Sequence, residues 1–350
     1  MKSQWMIYGA NGYSAQLAIE KAVKQGKTPI LAGRNQAQIV ALGKKFNLPV
    51  RIFDLSNIDK VAEQLADVSV VSHCAGPFSA TAEAMMKACI QARTHYTDIT
   101  GEGSVFATGQ ALHEQAKQAG VVLMSGVGFD VIPTDCIANF LHKQLPDATD
   151  LVLGFEGKLE LSPGTTKTGL ESIPQGMMVR RHGKIKSVSR RFEMRTIDFG
   201  LGPKISSVLT WGDIDPAYWQ TRIPNISVYM PLRGGKLRAY LFPLIQWIVS
   251  IPFVQQRAME RANKIVGPDA ASRANSPTYV WGEAKNASGK TVTATIKVPN
   301  GYTVTQDGIN ITADHLRDYQ GEGGCFTPSQ LMGHTLTEQL PGASRIALRS

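Results

Sequence analysis

The stretch Trp5 to Ala15, WMIYGANGYSA, limits what this chain can fold into more than any other. The apolar run Trp5 to Tyr8 has the length of one buried strand, and it breaks at once into Gly9, Ala10, Asn11, Gly12, Tyr13 and Ser14. From Gln16 to Gln25 apolar residues fall at Leu17, Ala18, Ala22 and Val23, so the turn opens a helix. A strand, a glycine turn and a helix in that order predict a dinucleotide-binding unit. Gly9 permits the tight turn, Gly12 lets the backbone approach a pyrophosphate, and Ala15 lets the helix pack close to the strand. The phosphates would lie on the helix N-terminus, where unpaired N–H groups and the helix dipole favour an anion.

The next segments continue the pattern. Thr28 to Ala32 reads as a second strand, ending in Gly33-Arg34-Asn35. An NAD-specific fold carries a carboxylate there for the ribose 2′-hydroxyl; Arg34 stands in its place and suits a 2′-phosphate, a solvated loop arginine being the alternative. The third strand, Val50 to Phe53, ends at Asp54, which either faces the adenine edge or caps the helix carrying Ile58, Val61 and Leu65. Val68 to Ser72 is a fourth strand. The residues His73-Cys74-Ala75-Gly76-Pro77-Phe78 after it suit a loop crossing the cofactor at the carboxyl ends of the strands, with His73 a packed residue. Helices near Ala80 to Ala92 and Val105 to Ala119 alternate with strands at His95 to Ile99 and Val121 to Ser125. Six strands separated by helices predict a doubly wound parallel sheet of the α/β class, a Rossmann fold, closing at Gly126-Val127-Gly128-Phe129-Asp130. Pro133 then opens another helix.

At 350 residues the chain exceeds one ordinary core, and from Asp150 the alternation stops. Strands at Leu151 to Phe155, Lys158 to Leu161, Lys186 to Ile197, Ile205 to Trp211, Ile226 to Met230 and Val292 to Val298 predict a second, α+β domain with a mixed or antiparallel sheet. Thr165 to Met178 is expected to be helical, Arg180 to Lys184 a solvated basic turn or a contact for an acidic substrate tail, and Asn300-Gly301 a hairpin turn. Thr312 to Tyr319 is a helical patch, Gly321 to Gly324 a loop, and Thr327 caps a last helix opened by Pro328.

Charge and cysteine usage narrow the function. The net charge of +9 can attract nucleotide phosphates, acidic or acyl substrates, or an anionic membrane, and no base-stacking motif accompanies it, so nucleic acid is not expected as a partner. The four cysteines are scattered without metal-ligand spacing and read as reduced thiols; no metal is expected. Lys2 leads straight into the first strand without an apolar signal segment, which fits a cytoplasmic protein. Tyr240 to Val254, YLFPLIQWIVSIPFV, is the most apolar window, 15 residues with two prolines. It falls short of the roughly 20 residues that span a bilayer. It reads as a buried helix, a peripheral membrane contact or a dimer contact, with basic flanks at Lys236, Arg238, Arg257 and Arg261 that keep the membrane reading open.

The motifs GANGYSA, LAGR, HCAGPF, THYTDITGE and GFDVIPTD, with PNGYTVT and GGCFTPSQLMG further on, resemble the saccharopine dehydrogenase-like oxidoreductases, including the trans-acting enoyl reductases. The resemblance spans most of the chain. It implies an NADP(H)-binding Rossmann domain over 1–128, a substrate and dimerisation domain over 129–312, and a C-terminal segment, 313–350, returning to the first domain. It also implies a homodimer. At the cofactor it sets Gly9, Ala10, Asn11, Gly12, Tyr13 and Ser14 on the pyrophosphate and Gly33 and Arg34 at the 2′-phosphate. Asp54, Cys74, Ala75, Gly76, Pro77, Phe78 and Gly128 complete the expected contacts. No signature for a saccharopine-type amino-acid substrate accompanies these motifs. The expected activity is NADPH-dependent reduction of a C=C (enoyl) or C=N bond in a small molecule, with Tyr96, Asp98 and Asp130 as the catalytic set and Tyr96 as proton donor. The alternative is an NADP-binding protein without turnover, a lipid-surface adaptor or redox sensor.

Overall fold

The computed structural model describes residues 2–158, 161–173, 176–188, 193–232, 244, 247–262 and 264–349. The chain divides into two compact units: Met1–Ile132 with Gly301–Leu331, and Pro133–Asn300 with Met332–Ser350.

The first unit is built on strands β1 (Gln4–Tyr8), β2 (Ile30–Gly33), β3 (Val50–Ile52), β4 (Val68–His73), β5 (His95–Asp98) and β6 (Val122–Met124). They alternate with helices α1 (Tyr13–Lys24), α2 (Gln36–Phe46), α3 (Ile58–Gln64), α4 (Phe78–Ala92), α5 (Gly103–Ala111) and α6 (His113–Ala119). β1 sits between β2 and β4, parallel to both. Trp5 to Tyr8 and Val68 to His73 are all buried, as expected of strands with helices on both faces. The strand order reverses at β1, and in open parallel sheets a ligand crevice lies outside the carboxyl ends at such a reversal.

A seventh strand, Gly324–Cys325, lies parallel to β6 at the edge of this sheet, where the sequence predicts a loop. Two residues are too few for periodicity to register. The helix expected over Val105 to Ala119 is two helices, with the break at Leu112. Asn300-Gly301 opens no hairpin; it starts a long helix, Gly301–Arg317, of which the sequence reveals only the last part. This helix lies along α1: buried Asp307 pairs with Lys21, Asp314 pairs with Lys27 at 2.5 Å, and Asn310 donates to the Ala18 carbonyl at 3.1 Å. The return to the first unit therefore begins at Gly301 rather than 313. The last residues, from Met332, belong to the second unit, where Ala347–Arg349 pairs with Thr291–Val298.

In the second unit the expected mixed sheet is present. Ala148–Glu156 pairs parallel with Asn225–Pro231 and antiparallel with Thr278–Asn286, which in turn forms a hairpin with Thr291–Val298. Pro203–Leu209 and Met194–Asp198 extend the other side. The sheet curls, so that Arg195 on one edge strand reaches Glu283 at 3.0 Å and Arg349 donates to the Asp198 carbonyl at 3.2 Å. Phe199, Val208, Tyr229 and Trp281 are buried in the core inside the curl. The helix expected over Thr165 to Met178 is Pro163–Ser172, followed by a strand, Met177–Arg181; Pro174 lies outside the described residues. The basic run is a hairpin turn at His182-Gly183, but Arg180 is not solvated: it is buried, pairs with Asp215 and stacks over Tyr218. Residues 159–160 and 189–192 of two expected strands also lie outside the described residues.

Candidate functional site

The β1–α1 turn has the geometry its glycines predict. Gly9 has a φ of +79°, and a Cβ there would stand 2.7 Å from the Ala75 nitrogen, so no other residue fits without moving the backbone. Its N–H and that of Ala10 donate to the Ala32 carbonyl at 2.8 and 3.1 Å, tying the turn to the end of β2. Gly12 is the N-cap of α1 and offers no side chain to the first helical turn, which also holds no acidic residue. The helix N-terminus is thus left to an anion. Asn11 donates to Gln38 at 2.7 Å and bridges this turn to the start of α2. The glycine cradle and the uncapped helix fit a dinucleotide pyrophosphate.

Arg34 follows β2 as an exposed side chain, and no carboxylate among the described residues forms an ion pair with it. Burial pushes the Tyr8 phenol up to about 12, with Asp54 adding to the shift and Arg34 opposing it, so both charges lie within electrostatic reach of this ring. Asp54 is exposed and accepts the Ser56 hydroxyl and, at 2.9 Å, the Ser56 N–H, which together hold it below the usual carboxylate range. It does not cap α3; Asn57 does, accepting from the Lys60 N–H.

The loop after β4 leans on the turn. The Cys74 N–H donates to the Tyr8 carbonyl at 2.7 Å, and Gly76-Pro77 is a cis peptide. Thr81 Oγ1 lies within hydrogen-bond distance of the Ala75 and Pro77 carbonyls, to which its single proton goes. His73 Nε2 therefore donates to Thr81 at 3.0 Å, leaving buried Nδ1 without a partner among the described residues. Burial drives the imidazole down to about 3, so it is neutral and packed, stacked 5.5 Å from Tyr8.

Tyr96 and Asp98 are fully buried on β5. Asp98 accepts from the Tyr96 hydroxyl at 2.8 Å, the Ser125 hydroxyl at 2.8 Å and the N–H groups of Thr100 and Gly126, each at 2.9 Å. Burial still raises its carboxyl above the ordinary value, and it raises the Tyr96 phenol well above its own. Tyr96, expected as a proton donor at the mouth of a cleft, is instead buried: alternation along the strand turns both side chains inward, and its hydroxyl donates to Asp98.

Asp130 differs. It is half-buried on the loop after β6, its carboxylate would lie 2.9 Å from a Cβ placed on Gly101, and it has no hydrogen bond among the described residues. Burial raises its carboxyl to about 6. Gly128, expected at the cofactor, faces the returning helix, where a Cβ would stand 3.1 Å from Thr305 Oγ1; Thr305 also accepts the Phe129 N–H at 3.1 Å. Two contributors escape the sequence reading. Glu102 accepts the Phe78 and Ser79 N–H groups at 3.0 and 2.8 Å and so fixes the start of α4. Tyr302 stands edge-on to Tyr13, 5.0 Å between centroids. The glycines flanking Glu102 and the PNGYTVT motif were the available signals.

Residues 5–124 match the family model described as the saccharopine dehydrogenase NADP binding domain. A human saccharopine dehydrogenase-like oxidoreductase is 25% identical over 57% of this chain and 51% of its own length. A trans-acting enoyl reductase of Mycobacterium bovis is 29% identical over 48% and 44%, and a lipid droplet localized protein of Caenorhabditis elegans is 29% identical over 39% and 36%. The chain thus spans about half, or less, of the length of these relatives. Saccharopine dehydrogenase (L-Glu forming) of Saccharomyces cerevisiae shares the fold over 99% of this chain and 100% of its own, with a TM-score of 0.66 at 12% identity. Residues 5–124 match the NADP-binding domain of the saccharopine dehydrogenase family, the cofactor is NADP(H), and the chain resembles the saccharopine dehydrogenase-like oxidoreductases.

Proposed function

We propose that this protein is an NADPH-dependent reductase of an electron-poor C=C (enoyl) or C=N bond in an acidic or acyl small molecule, with Asp130 handling the proton. The observation that carries the reading is Asp130 itself, a half-buried carboxyl without a hydrogen-bond partner among the described residues, at about 6, on a strand-end loop of a dinucleotide fold. NADPH, when bound, supplies the hydride. Negative charge then develops on the neighbouring atom, and a group whose pKa lies near the working pH is suited to deliver or relay the proton. Asp98 positions the loops after β5 and β6 through its hydrogen bonds. On this reading the Gly9 to Ser14 turn holds the pyrophosphate, Arg34 pairs with the 2′-phosphate, and Ala75 to Phe78 lie along the nicotinamide.

The test is loss of NADPH absorbance with a panel of 2-enoyl thioesters and cyclic imines, for the natural protein and Asp130→Asn. Turnover that falls while NADPH affinity stays supports the assignment; unchanged turnover removes Asp130 from the chemistry. Binding of NADP without turnover is the second reading, favoured by the mutual commitment of Tyr96 and Asp98. It gains if NADPH binds tightly and no member of the panel oxidises it. The reading includes a cytoplasmic location and a homodimer through the strand-rich second unit. Light scattering at micromolar protein tests the dimer, and a monomer at every concentration removes it.

A further inference from the structure

We infer that the exposed apolar side chains Leu244, Trp247, Ile248, Ile251 and Phe253, with the helix Pro252–Ala262, form a docking surface for an anionic lipid interface. Of the 240–254 window, residues 240–243 and 245–246 lie outside the described residues, as do the flanks Lys236 and Arg238. The remainder is not a buried helix. Leu244, Trp247 and Phe253 are 54%, 66% and 61% exposed, and Ile248 and Ile251 are exposed as well. Large apolar side chains normally leave water, so a run of them facing solvent marks an interaction surface.

The charge beside the run selects the occupant. Arg257 lies with its guanidinium 4.4 Å from the Phe253 ring centroid, and Arg257, Arg261 and Lys264 are all exposed. Among the described residues from 244 to 264 the charged side chains are three basic ones, Arg257, Arg261 and Lys264, and one acidic one, Glu260. A second copy docking through the same face about a twofold axis would set these cations against their own counterparts. An anionic membrane offers the complementary charge, and aromatic side chains beside cations match the headgroup level of a bilayer. No helix among the described residues is long and apolar enough to cross a membrane, so the contact lies in the interface.

The experiment is flotation of the full chain with vesicles of phosphatidylcholine alone and of phosphatidylcholine with phosphatidylglycerol. It compares the natural protein with the double variants Trp247→Glu/Phe253→Glu and Arg257→Glu/Arg261→Glu. Circular dichroism and NADPH affinity, which these changes leave alone, show that the variants are folded. The natural protein is expected to float with the anionic vesicles, about tenfold more than with the neutral ones, and each double variant to lose about tenfold of that binding. No flotation with anionic vesicles, or unchanged flotation of the folded Trp247→Glu/Phe253→Glu variant, overturns the proposal. So does self-association that this variant abolishes in the absence of vesicle binding, because the face is then an interface between copies.

Discussion

The last residue of β5, Asp98, and the loop after β6 each supply an aspartate, and the two carboxyl groups sit in opposite conditions. Asp98 is buried, yet two hydroxyls and two backbone N–H groups satisfy it, and its neighbour Tyr96 spends its proton on it. Asp130, further along the same edge of the sheet, is half-buried and has no such partners among the described residues. Burial raises both carboxyls. A group whose hydrogen-bonding capacity is spent inside the fold has little left for a substrate, whereas an unpartnered one retains it. The difference separates a residue that holds loops in place from one available for chemistry, although both are aspartates at strand ends.

The largest expected effect breaks the first half of this comparison. Asp98→Ala leaves the Tyr96 and Ser125 hydroxyls and two N–H groups without their acceptor inside the fold, and should cost about 3–5 kcal/mol of stability in denaturant unfolding. A loss under about 1 kcal/mol would mean that Asp98 is no structural anchor.

The next effect is at the other side of the strand-order reversal. Arg34→Ala should weaken NADPH binding by about 10- to 100-fold and leave NADH nearly unchanged, since the lost hydrogen bonds are charge-assisted and their acceptor is the 2′-phosphate. Titration of both cofactors measures it. An unaltered preference would move phosphate recognition away from Arg34.

The smallest effect sharpens the Asp130 half. Its folded pKa of about 6 lies above the ordinary carboxyl value, so the native state holds the proton longer than the unfolded state does. Stability therefore falls as pH rises through the window from about 4 to 6 and stays lower above it. Asp130→Asn should remove that loss and stabilise the protein at pH 7 by about 1–2 kcal/mol, a figure reduced for the group's partial exposure. Unfolding curves at pH 4 and pH 7 check it; equal effects at both would show that Asp130 does not titrate in this window.

The first domain was legible because its information is local: a glycine turn between an apolar run and a helical spacing needs no knowledge of distant residues. What the sequence concealed depended on partners far along the chain. Gly324-Cys325 becomes a strand only because β6 lies beside it. The helix from Gly301 hid behind a turn-like Asn-Gly pair and an interior glycine, Gly308, where a Cβ would collide with the Val127 carbonyl. Arg180 looked solvated until Asp215, from another element, met it. Tyr96 and Asp98 share a face of β5, but alternation alone does not say whether that face opens to a ligand or to the helix layer. The apolar window after Tyr240 likewise needed coordinates to show that its described part faces solvent.

The most direct measurement is the pH dependence of NADPH oxidation, with a turned-over enoyl thioester or cyclic imine, by the natural protein and by Asp130→Asn. The natural protein should show a limb with an apparent pKa near 6, and Asp130→Asn should lose both that limb and most of its turnover while still binding NADPH. Full turnover with the same limb in Asp130→Asn would contradict the assignment of proton transfer to this loop.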